Sequence, residues 1–116
     1  MIELILAVRF FATASGREPA RDFLRALTVE DRKTIGTDIK TVQFGWPIGM
    51  PLVRKMEPGL WEVRSHIADG IARVQFTVIE SEMVLLHAFV KKARKTPATD
   101  LETARKRLHQ IQRGAR

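Results

Sequence analysis

Hydrophobic positions follow a helical period in the first half of the chain and an alternating one in the second. Ile2 to Phe11 is rich in branched and aromatic side chains and predicts a strand, which Ser15-Gly16 breaks. Pro19 suits a first helical position, and Ala20, Phe23, Leu24 and Leu27 supply an apolar stripe for a short helix. Thr28 with Asp31 three residues on resembles a capping box with Asp in place of Glu. Ile35, Ile39, Val42 and Trp46 continue at the spacing of a second helix, which Gly45 and Pro47 end. The stretch Trp46 to Pro51, with Pro47, Gly49 and Pro51, is irregular and leads into the strand-rich half.

In that half, Leu60 to Ile67 and Ile71 to Ile79 flank Asp69-Gly70, a two-residue hairpin signal. With Asp69 and Gly70 as the turn, Trp61 faces Val78, Val63 faces Phe76 and Ile67 faces Ala72 on an apolar side. Glu62 then meets Thr77, Arg64 meets Gln75 and His66 meets Arg73 on a polar side, and a slip by one residue would mix the two. Met83 to Val90 is a more apolar strand behind Glu80-Ser81-Glu82. A three-residue loop places His87 opposite Gln75 and Phe89 opposite Arg73 on the polar face, whereas a two-residue loop turns His87 away; the first is the reading adopted. Thr96 as N-cap and Pro97 at the first helical position start a final helix, with Leu101, Ala104, Leu108 and Ile111 buried and an end near Gly114. No repeat or linker divides the chain, so residues 1–116 read as one domain. The expected class is α+β: a mostly antiparallel sheet with two N-terminal helices and a C-terminal helix packed on its apolar face.

Composition narrows the function classes. A chain of 116 residues with 45% hydrophobic content builds one core and argues against disorder. The lack of cysteine removes disulfide scaffolds, thiolate zinc sites and cysteine nucleophiles, and fits a reducing, cytoplasmic compartment. No apolar run approaches a membrane span, and Met1 to Phe11, with Glu3 and Arg9, has no signal-peptide layout, so no membrane partner is expected. The net charge of +7 is unevenly placed: residues 1–86 hold 11 basic and 11 acidic side chains, residues 87–116 hold 9 and 2. The excess forms two clusters, Lys91-Lys92-Ala93-Arg94-Lys95 and Arg105-Lys106-Arg107, whose field suits RNA, DNA or an acidic protein, or else a merely solvated surface.

The polar sheet face collects Arg64, His66, Arg73, Gln75 and His87, with Lys91 and Lys92 just beyond the last strand. Metal-free RNA cleavage needs these residue types. A base takes the proton of a ribose 2′-hydroxyl, cations stabilise the charge gathering at phosphorus, and an acid protonates the departing 5′-oxygen. Arg and Lys supply the cations, and His has the unperturbed pKa suited to the proton transfers. Each residue also has an ordinary structural role open to it: Arg73 pairing with Glu62 or capping a loop, His87 hydrogen-bonded in the core, His109 on a helix surface, Trp46 and Trp61 in the core. Three histidines without His-x-x-x-His spacing predict no metal, and the absence of a Gly-rich phosphate loop or a nucleophile elbow predicts no cofactor built on either.

Four segments taken together resemble the phage-derived HigB-like toxins of the RelE/ParE superfamily. They are Ser15 to Leu24 (SGREPARDFL), Lys55 to Arg64 (KMEPGLWEVR), Gly70 to Val74 (GIARV), and Leu85 to Lys92 (LLHAFVKK) followed by Lys95-Thr96-Pro97. The resemblance covers nearly the whole chain. It implies a RelE-like fold and a toxin that enters the ribosomal decoding site and cuts messenger RNA there, held inactive by an antitoxin that is commonly a helix-turn-helix protein. It gives Arg64 and Arg73 to phosphate and Lys91 and Lys92 to the basic pair after the last strand. Relatives of the RelE branch often use a C-terminal tyrosine for proton transfer, and this sequence has none. That leaves His87, then His66, or substrate positioning by the ribosome alone. The expected catalytic set is therefore Arg73, His87, Arg64 and Lys91. Lys55, His66, Gln75, Lys92, Arg94, Lys95, Arg105, Lys106 and Arg107 are the expected RNA and ribosome contacts. A gyrase poison of ParE type, or a non-catalytic nucleic-acid-binding partner, is the alternative.

Overall fold

The computed structural model describes residues 5–92 and 95–114. The chain runs β1 (Ala7–Phe10), α1 (Pro19–Arg25), α2 (Val29–Gly45), β2 (Val53–Glu57), β3 (Leu60–Ile67), β4 (Gly70–Ile79), β5 (Glu82–Lys91) and α3 (Ala98–Gly114). The strands form one sheet in the order β1-β5-β4-β3-β2, antiparallel except for the parallel edge pair β1 and β5. The expected α+β class holds, and the described part of the N-terminal strand begins at Ala7, after Ile5 and Leu6, with Ile2 to Leu4 of the expected strand outside the described residues. Pro19 opens α1, and Thr28 caps α2 by accepting the Asp31 N–H at 3.2 Å.

Two apolar layers sandwich the sheet. On one face, Ile35, Ile39 and Val42 of α2 pack with Val63, Val74, Phe76, Met83 and Leu85, and Trp46, Trp61 and Phe76 form an aromatic cluster with Trp46 and Trp61 4.9 Å apart. On the other, Ala104, Leu108 and Ile111 of α3 pack with Phe11, Leu60, Val84 and Leu86. The C-terminal helix thus lies on the opposite face from α1 and α2, which corrects the expectation of three helices on one apolar face. The cause is β5, apolar on both sides through Met83-Val84-Leu85-Leu86, which needs cover above and below.

The β3–β4 register is shifted by two residues from the expected one. Ile67 pairs with Gly70, Arg64 with Arg73, Glu62 with Gln75 and Trp61 with Phe76, so the turn is Ala68-Asp69. A shift of two preserves the faces. Gly70 serves as a strand residue rather than a turn residue: its φ is +147°, and a Cβ there would lie 3.2 Å from the Lys91 carbonyl oxygen.

The β4–β5 connection follows neither of the simple loop alternatives. Ile79 pairs with Glu82 across a two-residue turn, yet Gln75 pairs with His87 and Arg73 with Phe89, as a three-residue loop would give. A bulge makes the difference: Phe76 pairs with Leu85 and Gln75 with His87, leaving Leu86 as the extra residue. Helix α3 starts at Ala98, with the Pro97 carbonyl accepting the Leu101 N–H at 3.1 Å, so Thr96 is not its N-cap. The Thr96 hydroxyl turns into the sheet instead. Because α3 closes the second core, Leu108→Ala, at a residue 4% exposed, is expected to cost about 2–5 kcal/mol in urea unfolding.

Candidate nucleic-acid interface

Register sets out the polar face in rows. Arg54, Glu62, Gln75 and His87 lie across β2, β3, β4 and β5; the next row holds Arg64, Arg73 and Phe89; the next His66, Ile71 and Lys91. The N-terminal end of α3 and its leading residues cover the first row.

Glu62, Arg73 and Gln75 are each 0% exposed. Such groups require partners, and they supply one another. The Glu62 carboxylate accepts from Arg64 Nε at 3.0 Å, from Gln75 Nε2 at 3.1 Å and from Thr96 Oγ1 at 2.9 Å. Thr96 Oγ1 in turn accepts from Arg73 Nη1 at 3.3 Å. The expected link of Arg73 to Glu62 therefore runs through a threonine hydroxyl. Burial pulls the Arg73 pKa below the ordinary guanidinium value; Glu62 opposes that shift, and Arg64 and Arg54 add to it. Cationic charge is thus concentrated on this face.

His87 has both ring nitrogens engaged. Nε2 lies 2.7 Å from Asp100 Oδ1 on α3, and Nδ1 lies 3.4 Å from Arg107 Nη1. With Nε2–H donating to Asp100, Nδ1 accepts from Arg107, so the ring bridges sheet and helix. Its other neighbour is Phe89, stacked with centroids 5.5 Å apart. His66, by contrast, is exposed on the row beyond Arg64.

The remaining expected residues divide. Lys91, Lys92 and Lys95 are exposed beside this face, and Arg94 lies outside the described residues. Lys55 is exposed but pairs with Trp61, on the face of α2, away from Arg64. Gln75 is a buried donor to Glu62 with no partner for its Oε1 among the described residues. In the C-terminal cluster only Lys106 is exposed. Arg105 is paired with Glu57 through two contacts. Arg107 donates to the carbonyl of Leu86, the bulge residue, at 2.8 Å and lies 5.5 Å from the Phe11 ring centroid. Burial lowers the Arg107 pKa.

Sequence reasoning missed Arg54, Thr96 and Asp100 and gave Glu62 only a passing role. The alternation Val53-Arg54 marked an outward cation, but no turn fixed the register of β2. Among the described residues no group of three His, Asp or Glu side chains is placed to hold a metal, and no helix is long and apolar enough to cross a membrane. A cleft of about 400 Å³ lies at the far end of α3, between Arg9 to Ala14 and Gln110, Ile111 and Gly114, and contains no acid or histidine.

Two consequences can be measured. The Arg105 hydrogen bond holds the Glu57 carboxyl below its ordinary pKa, so the pair stabilises the fold above the unfolded carboxylate range and stops doing so as pH falls through the folded-state value. Unfolding free energy followed from pH 7 into acid should therefore fall less steeply in Glu57→Gln than in the parent. In the basic triplet, Arg107→Glu should lower the thermal midpoint and Lys106→Glu should leave it in place.

A search of curated proteins finds no match to the chain. The family model described as phage derived protein Gp49-like (DUF891) matches residues 22–109, which takes in α2, every strand from β2 to β5, Glu62, Arg64, Arg73, His87 and Thr96. The chain belongs to the phage-derived Gp49-like family.

Proposed function

We propose that the chain is the toxin of a type II toxin–antitoxin module and acts as a ribosome-dependent mRNA interferase. The carrying observation is the strand face on which Arg54, Arg64 and Arg73 gather around Glu62, with His66 and Lys91 on the adjoining row and Lys92 and Lys95 beside it. A cationic face whose exposed margin carries Arg54, His66, Lys91 and Lys92 suits an extended polyanion better than a small ligand. Family membership supports the reading, because Gp49-like proteins are associated with RelE/HigB-like toxins. The partners that follow are a ribosome carrying mRNA and a cognate antitoxin, commonly a helix-turn-helix protein in that class.

The proposed reaction requires no cofactor. The ribose 2′-oxygen forms a bond to the adjacent phosphorus, the bond from phosphorus to the 5′-oxygen breaks, and the products carry a 2′,3′-cyclic phosphate and a 5′-hydroxyl. Arg64, with its side chain 13% exposed, faces the phosphate, and the buried Arg73 strengthens the positive potential behind it. Lys91 adds a second exposed cation. His66 takes over the proton transfer first considered for His87, since its ring is exposed and His87 is held by Asp100 and Arg107.

A defined mRNA incubated with purified protein, with and without translating ribosomes, tests this by mapping new RNA ends. Cuts should require ribosomes. Arg64→Ala should slow them by about 10²–10³-fold, the loss of one charge-stabilising donor. His66→Ala should slow them by about 10²–10⁴-fold. Intact RNA with folded protein that still arrests growth would favour a gyrase poison, and salt-sensitive RNA binding without cuts would favour a non-catalytic partner.

A further inference from the structure

An arginine on an open strand face ordinarily samples many rotamers, and a phosphate must select one of them on binding. Arg64 is held before any ligand arrives. Nε, Cζ and both Nη atoms are coplanar, so the bond from Nε to Glu62 Oε1 at 3.0 Å restrains the guanidinium group and the direction of its terminal nitrogens. Glu62 is itself held by Gln75 Nε2 at 3.1 Å and Thr96 Oγ1 at 2.9 Å, at 0% exposure. Well-packed apolar residues could close such a layer at no loss of stability, so a buried carboxylate among arginines has its clearest use in orientation.

The geometry points to Glu62 as the positioning residue of this face: its carboxylate orients the Arg64 guanidinium directly, presetting it for an RNA phosphate, and through the Thr96 hydroxyl it holds the buried Arg73 guanidinium behind it. The inference rests on the reading of this face as the cleavage site and adds what holds its cations in place. Thr96 directly follows Lys95, so the same hydroxyl also anchors the end of the basic segment beside the sheet. The cationic face and the start of α3 thereby share one anchor.

The test combines a spectrum with kinetics on Glu62→Gln, Thr96→Val and Thr96→Ser, each first checked for folding by thermal unfolding. In ¹H–¹⁵N spectra of the arginine side chains, the Arg64 Nε–H signal, assigned by its loss in Arg64→Lys, should be protected from water exchange in the parent and in Thr96→Ser, and lose that protection in Glu62→Gln. At saturating ribosomes, Glu62→Gln and Thr96→Val should cleave about 100-fold more slowly, the cost of a misplaced group. The half-saturating ribosome concentration should stay within about threefold, since the loss falls on the chemical step. Thr96→Ser should restore the rate. A folded Glu62→Gln that cleaves at the parental rate, a change confined to half-saturation, or an Arg64 signal indifferent to Glu62→Gln would overturn the assignment. If Glu62→Gln does not fold, the valine and serine variants at Thr96 decide it by the same rate comparison. A parent that cuts no RNA overturns the reading of function instead, and the spectrum still decides whether Glu62 orients Arg64.

Discussion

A carboxylate with no exposure to water must be surrounded by donors, and the polar layer between the sheet and α3 is arranged around that need at Glu62. Its donors come from its own strand (Arg64), the neighbouring strand (Gln75) and the segment entering α3 (Thr96). Satisfying one side chain therefore ties the β3–β4 hairpin to the segment entering α3, 34 residues further along the chain. Thr96 does not cap α3 because its oxygen, which a cap would turn to a helix N–H, is aimed into the sheet, where it accepts from Arg73 while its proton goes to the carboxylate.

The second constraint is the phase of β5. Without the extra residue at Leu86, the alternation set by the Ile79–Glu82 turn would carry His87, Phe89 and Lys91 to the face of α2. The bulge puts Leu86 and His87 on the same side, Leu86 into the α3 core and His87 against Asp100. Arg107 binds both residues, at the Leu86 carbonyl and the His87 ring. The bulge and the helix that covers it are thus fastened together, and the phase they set brings Lys91 to the side of Arg64.

Much of this was legible in the sequence. Four of the five strands, the helices, the Thr28 cap and the two faces of the hairpin followed from periodicity, whereas β2, five residues long and broken by a bulge, was not placed; a two-residue error in register left the faces intact because the strand period is two. His87 came to the expected position by a different route: no residue type in Leu85-Leu86-His87 announces a bulge, whose position is set by contacts with α3. The side of the sheet taken by α3 was legible in principle from the unbroken apolar run of β5. Glu62 was harder to read. Alternation marks it as polar and facing outward, and only the tertiary cover supplied by Thr96 makes that outward face an interior one.

The same cover divides the C-terminal charge, which in sequence is a single basic surplus. Arg107 is drawn into the α3 contact and its burial lowers its pKa, while Arg105 is committed to Glu57. Cations used in this way hold the helix down and contribute little field outward. Lys91, Lys92 and Lys95 stay exposed beside the strand face, where Arg54 and Arg64 from the charge-balanced first part of the chain join them. The exposed positive charge on this side of the molecule is consequently gathered about the strands and their ends. A helix packed by its arginines and a sheet edged by lysines are two uses of one composition, and it is tertiary packing that separates them.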